Sequence, residues 1–230
     1  MKCVRGSGKL AAMRRARPAI LVVLVAGTTL LLGWLGHRLA IGDGFAWPFD
    51  MAAGFSVAVL VLWPTAAPLG VLIGCVAAAL IAPGMASDAP FTAMASGSLA
   101  AGAAWVSAVL GRRWLPYPGP IDAPPAISRL MLGVAPIGGL LGGLAQLLVA
   151  LTLSHAAWDA ALTRAIIAGI AAMLGIAIVL PVLRALFGQP RADWDSRRLA
   201  IIAPLLVALA VVGAAITHLS RLEVARHQDA

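Results

Sequence analysis

The chain has 230 residues, of which 61% are hydrophobic and 11% charged, and its mean hydropathy is +0.96; a soluble domain carries about 25% charged residues. That balance excludes an ordinary soluble fold and predicts an all-α, polytopic integral membrane protein. The net charge of +8 lies in short clusters between apolar runs, with no basic stripe interleaved with aromatics, so it orients the chain in a bilayer and nucleic acid is not an expected partner.

Residues 1–17 carry Lys2, Arg5, Lys9, Arg14, Arg15 and Arg17 without an acidic residue and read as a basic cytoplasmic tail. The uncharged run 19–35 is longer than the core of a signal peptide and has no small-x-small cleavage site after it, so it is expected to be the first transmembrane helix. Residues 37–47 are then an external loop. The run 45–84 has one charge, Asp50, and is too long for a single span. Pro64 and Pro68 break it into a hairpin, with arms over 48–62 and 69–81 and a turn over 63–68. A fourth helix is expected over 91–110, stopped by Arg112 and Arg113, and the proline-rich segment 115–125 as an ordered turn. The fifth helix covers 130–153, an external loop 155–164, the sixth helix 165–186, a polar loop 189–198 and the seventh helix 199–217. The transmembrane domain thus covers 18–219, and 220–230 is a polar tail leading towards a further C-terminal module. With seven helices, 13 of the 17 Lys and Arg residues fall on the inner side, whereas reading 45–83 as one span almost equalises the sides. The positive-inside bias therefore selects seven, with the N-terminus cytoplasmic and the C-terminus outside, in the periplasm of a bacterial inner membrane.

Cys3 lies in the basic tail and Cys75 inside an apolar run, so no disulfide is expected. No Cys or His pair has ligand spacing, and neither a metal nor a cofactor is expected. The pairs Gly70 and Gly74, Gly138 and Gly142, and Gly139 and Gly143 make GxxxG patterns that predict close helix packing.

Polar groups at membrane depth are costly unless paired or functional. Asp50, in the first turn of the second helix, is either a ligand contact or an acid favoured by the helix dipole. Gln146, in the middle of the fifth helix, is either a ligand contact or interhelical glue. His37, His155 and His218 fall at outer helix ends, where they are either solvated or form a responsive rim with Asp43 and Asp50. Trp47 adjoins Asp50, while Trp34, Trp47, Trp114, Trp158 and Trp194 suit an aromatic belt.

Three places resemble the MASE1 family, bacterial integral membrane sensory domains that precede signalling modules. Trp47-Pro48 followed by MAAGFSVAVL is similar to that family's first motif, with Gly54 at its glycine position, Met51 where proline is usual and Ser56 in place of an alanine. Trp63-Pro64 leading to Gly74, and Gly175 to Pro181 in a G-x5-P arrangement, resemble the second and third. Ala171-Ala172 stand where the family tends to have Gly-Asp, so no role of that acid transfers. The tail after His218 resembles the start of an extracellular CHASE domain. The resemblance implies a sensory input domain of two-component or cyclic-di-GMP signalling, whose partners are the lipid bilayer, a small-molecule signal, the C-terminal signalling module and a second copy of the chain. The chain has none of the usual catalytic motifs, so it is not expected to be an enzyme, although the module that follows could be a diguanylate cyclase or histidine kinase. The competing expectation is a transporter or the substrate-binding membrane subunit of an uptake system. Against it, the proline-broken hairpin has no counterpart in the second half.

Overall fold

The computed structural model describes residues 7–38, 50–82, 90–115 and 124–187, with the backbone alone for 7–17, 38 and 124. The expected seventh helix (199–217), the flanking polar segments, Asp43, Trp47, Trp194 and His218 lie outside the described residues. The described residues form helices joined by turns, with no strand among them. The helices are α1 (Ser7–Arg38), α2 (Met51–Leu62), α3 (Ala67–Ile81), α4 (Pro90–Trp114), α5 (Pro124–Arg129), α6 (Ala135–Thr152) and α7 (Trp158–Phe187), with a π-helical turn, Leu130–Val134, joining α5 to α6.

Prolines mark the starts. Pro90 and Pro124 open α4 and α5, and Pro68 sits in the first turn of α3, where a missing amide costs nothing because it would have no intrahelical partner. The hairpin turn is built around Trp63, which donates to the Val59 carbonyl at 2.8 Å and accepts from the Ala67 amide at 3.0 Å. The two arms then part company. α2 packs on α7 and α4, α3 packs on α1 and α4, and the arms touch each other little.

Several expected boundaries move. His37 belongs to α1 instead of the following loop. The segment expected as a turn up to residue 125 gives its last two prolines to α5, because proline is well suited to a first helical turn. The fifth span therefore begins at 124 and not 130. It passes into α6 through the π turn, where the Ala135 amide reaches back five residues to the Leu130 carbonyl. Pro136, next in the chain, lacks the amide that would continue the ordinary ladder, and a local shift of register accommodates it. The loop expected over 155–164 ends early, since Trp158 and Asp159 start α7. An acid in the first turn favours the helix dipole there.

Among the described residues, four helical stretches are long and apolar enough to cross a membrane: Pro18–His37, Pro90–Trp114, Pro125–Thr152 and Trp158–Phe187. At most 39% of the most apolar window in any of them is buried within the protein, and Leu24, Phe91, Leu132, Leu140 and Ile166 point outward. Apolar surface on this scale requires a lipid cover. The core lies between the helices, where Val57, Leu60, Val71, Leu130, Ile176 and Leu180 are buried together.

Glycines set the closest approaches. A methyl group added at Gly143 would come to 2.7 Å from the Ala165 carbonyl oxygen, and one at Gly139 to 2.5 Å from that of Gly169, so α6 and α7 meet backbone to backbone. Gly70 and Gly74 lie likewise against the Val22 and Ala26 carbonyls of α1, each at 2.8 Å from an added methyl. Gly138 faces Ile176 and Ser107, while Gly142 has more room, 3.4 Å to Ala172 Cβ.

Candidate functional site

Between the helices lies a cavity of about 380 Å³, within the range of small-molecule pockets. Its wall comes from the C-terminal parts of α1 and α3, the N-terminal parts of α2, α4 and α7, and one turn of α6. Most of this wall is alanine and glycine. Small residues leave volume between helices that are otherwise close-packed, which is how the sequence makes a hole here. The polar exceptions are Thr29, His37, Asp50, Ser56, Cys75, Ser96 and Gln146.

Asp50 is fixed by its own backbone. It is the N-cap of α2, with its Oδ1 accepting from the Ala53 amide at 2.9 Å, which satisfies one of the orphan donors of the first turn. Its own amide donates to the Ala171 carbonyl of α7 at 2.7 Å. This bond joins one helix start to the body of another. It is possible because Gly54 of α2 lies against the Gly175 carbonyl, and Gly175 in turn lies against the Asp50 carbonyl, leaving no room for a side chain at either position. The Asp50 side chain keeps accessible surface where it lines the cavity. His37, at the end of α1, lies within coulombic range of it.

At the deeper end, the Thr29 and Ser56 side chains are buried and their hydroxyl oxygens have no hydrogen-bond partner. The thiol of Cys75 lies beside Ser56. Hydroxyls elsewhere on the helices bond back to a carbonyl four residues earlier, as Ser107 does to Ala103 at 2.7 Å and Thr152 to Leu148 at 2.6 Å. Thr29 and Ser56 do not, so among the described residues Thr29 is left without a partner at membrane depth and Ser56 has only the weak Cys75 thiol beside it.

Of the candidates read from sequence, His37, Asp50 and Gln146 meet on this cavity. His155 does not join them. It is exposed, and its backbone turns at φ 48° to let the Ala156 amide bond the Ala150 carbonyl at 3.0 Å, closing the end of α6. Trp114 is half exposed, with its ring against Gly133 beside the π turn, and Trp158 is exposed. Thr29, Ser56, Cys75 and Ser96 were not singled out by sequence. Their one signal was a hydroxyl or thiol inside an otherwise apolar helix, which many membrane helices carry.

The chain matches no family model, no curated protein and no solved structure.

The far end of the bundle has a different chemistry. Arg112 and Arg113 end α4, Arg129 ends α5 and donates to the Trp114 carbonyl at 3.3 Å, and Arg184 is buried near the end of α7. Trp63 packs edge-on against Phe187 there, with ring centroids 5.5 Å apart. The cavity and these four arginines therefore lie at opposite ends of the bundle, while Arg38 and Arg164 stand at the cavity end of α1 and α7.

Proposed function

We propose that this chain is a membrane-embedded sensory domain, in which a small molecule entering the cavity shifts α2 against α7 and so alters the segment that follows α7. The observation that carries this reading is the backbone bond from Asp50 to Ala171. A residue that lines the cavity is tied through its main chain to α7, so a force on its side chain is delivered to that helix without an intermediate. The resemblance to MASE1 domains supports the same reading, since Gly54 and Gly175, which carry two of its motifs, are the residues that bring α2 and α7 together. In this reading the cavity end faces outward and the arginine end faces the cytoplasm, in the inner membrane of a bacterium, and the receiver of the signal is a module beyond Ala230.

The test mimics occupancy. With both native cysteines replaced by alanine, spin labels at the outward-facing positions Leu72 and Leu186 report the separation of α3 from the end of α7 in nanodiscs. Ala100→Phe, which fills the cavity from α4, is expected to shift that distance distribution while leaving the protein inserted. An unchanged distribution, together with solute flux in proteoliposomes that Ala100→Phe blocks, would replace the sensory reading with transport.

A further inference from the structure

The cavity has two chemically different ends. At one, Asp50 is the acidic residue on the wall among the described residues, and no arginine or lysine among them lines the cavity. At the other, the hydroxyls of Thr29 and Ser56 are buried, Thr29 without a partner among the described residues and Ser56 with no neighbour but the weakly bonding Cys75 thiol. Ser56 lies six residues beyond Asp50 along α2, about 9 Å at the helical rise. Thr29 reaches the same level from α1, because it touches the backbone position of Gly74 while Ser56 adjoins Cys75, the next residue of α3. The rest of the wall is mostly alanine and glycine with Leu32 and Met51, and Ser96 and Gln146 add the remaining polar groups.

We propose that the cavity binds a small primary amine with a flat apolar body and a hydrogen-bonding group at its far end. This rests on the sensory reading only in taking the cavity as a ligand site. Carboxylate in a largely apolar enclosure is costly without a cation, and the cap bond from Ala53 leaves most of its acceptor capacity open. An ammonium group supplies the charge and three donors at once. Among the described residues an anion would find no arginine or lysine on the wall, only His37 beside the Asp50 carboxylate. The far hydroxyls are each able to donate and accept, so a hydroxyl or phenol on the ligand satisfies groups that otherwise carry the full cost of unpaired burial. His37 stands beside Asp50 at the mouth, where it can take a second donor of the ammonium.

Tyramine, 2-phenylethylamine, 2-(4-hydroxyphenyl)ethanol and 3-(4-hydroxyphenyl)propionate separate these contributions. Equilibrium dialysis against the protein in nanodiscs, corrected with empty nanodiscs, gives each affinity. Tyramine is expected to bind at least about tenfold more tightly than the alcohol, the factor conferred by one charged hydrogen bond. It should also exceed 2-phenylethylamine by about threefold or more, and the propionate should be the weakest. Asp50→Asn keeps a good N-cap and is expected to abolish the preference for amine over alcohol. Thr29→Val is expected to abolish the advantage of tyramine over 2-phenylethylamine, and it carries the test alone if the Asp50 variant does not insert. Equal affinity of amine and alcohol, preference for the propionate, failure of both amines to bind, or an unaltered ranking in the variants overturns the proposal. Binding that follows the expected ranking while the α3–α7 distance stays fixed would instead remove the sensory reading and leave this ligand class standing.

Discussion

Asp50 does two jobs with different atoms, and substitutions separate them. Its Oδ1 caps α2, so Asp50→Ala should lower stability by about 1 kcal/mol, whereas Asp50→Asn should leave stability nearly unchanged. Thermal unfolding in a mild detergent measures the difference, and equal loss in both would mean that the charge and not the cap holds the helix start. Its main chain makes the other connection, to Ala171, and the glycine opposite it decides whether that bond can form. A methyl group at Gly175 would run into the Asp50 carbonyl, so Gly175→Ala must push α2 away from α7. Overpacking of this kind costs about 1–3 kcal/mol, sometimes more. The expected result is a larger fall in unfolding temperature than Gly142→Ala gives, since Gly142 has 3.4 Å of clearance.

At the scale of helices, the same contrast runs along α6. Gly139→Leu and Gly143→Leu should disrupt folding far more than Leu144→Phe, because the glycines face carbonyls of α7 while Leu144 is 50% exposed on the outward side. Equal yields of folded protein for the three would refute close approach as the basis of the α6–α7 contact. How legible these helices were in the sequence depended on the kind of signal. Charge and proline punctuation is strong in a membrane protein and located the hairpin, and GxxxG spacing located the small-residue face of α6, but α4 runs past its expected end at 110 and takes Arg112 and Arg113 into its last turn. Helix starts were read less well. Pro124 and Pro125 looked like breakers, yet they sit where proline is tolerated, and the expected helix 130–153 passed over Pro136, which the π turn absorbs. The cavity was half legible. Asp50, His37 and Gln146 stand out as polar residues near apolar runs, but Thr29 and Ser56 gain their meaning only from neighbours on other helices. His155 does not line the cavity and takes a left-handed turn at the end of α6, a backbone conformation that sequence does not reveal.

For the whole molecule, the cluster of Arg112, Arg113, Arg129 and Arg184 at the end away from the cavity gives the bundle a polarity that a bilayer would read. The expected orientation puts reporter fusions after Arg113 in the cytoplasm and fusions after Trp158 outside it. Reporters with both positions on the same side would contradict the antiparallel course of α4 and α6, and both reversed would turn the cavity towards the cytoplasm. The bundle is also uneven in length. α2 and α3 have 12 and 15 residues, about 18 and 22 Å, whereas the hydrocarbon of a bilayer is about 30 Å thick. These two helices fall short of the layer that α4 and α7 cross with ease, and the turn between them is expected to draw the arginine-side leaflet inward around Trp63. Thickness mismatch costs a fraction of a kcal/mol per Å. Reconstitution in lipids of increasing acyl length should therefore lower stability steadily, and should do so less in a variant with one additional helical turn in each short arm. The membrane's own thickness would then act on α2, and through α2 on whatever the cavity holds.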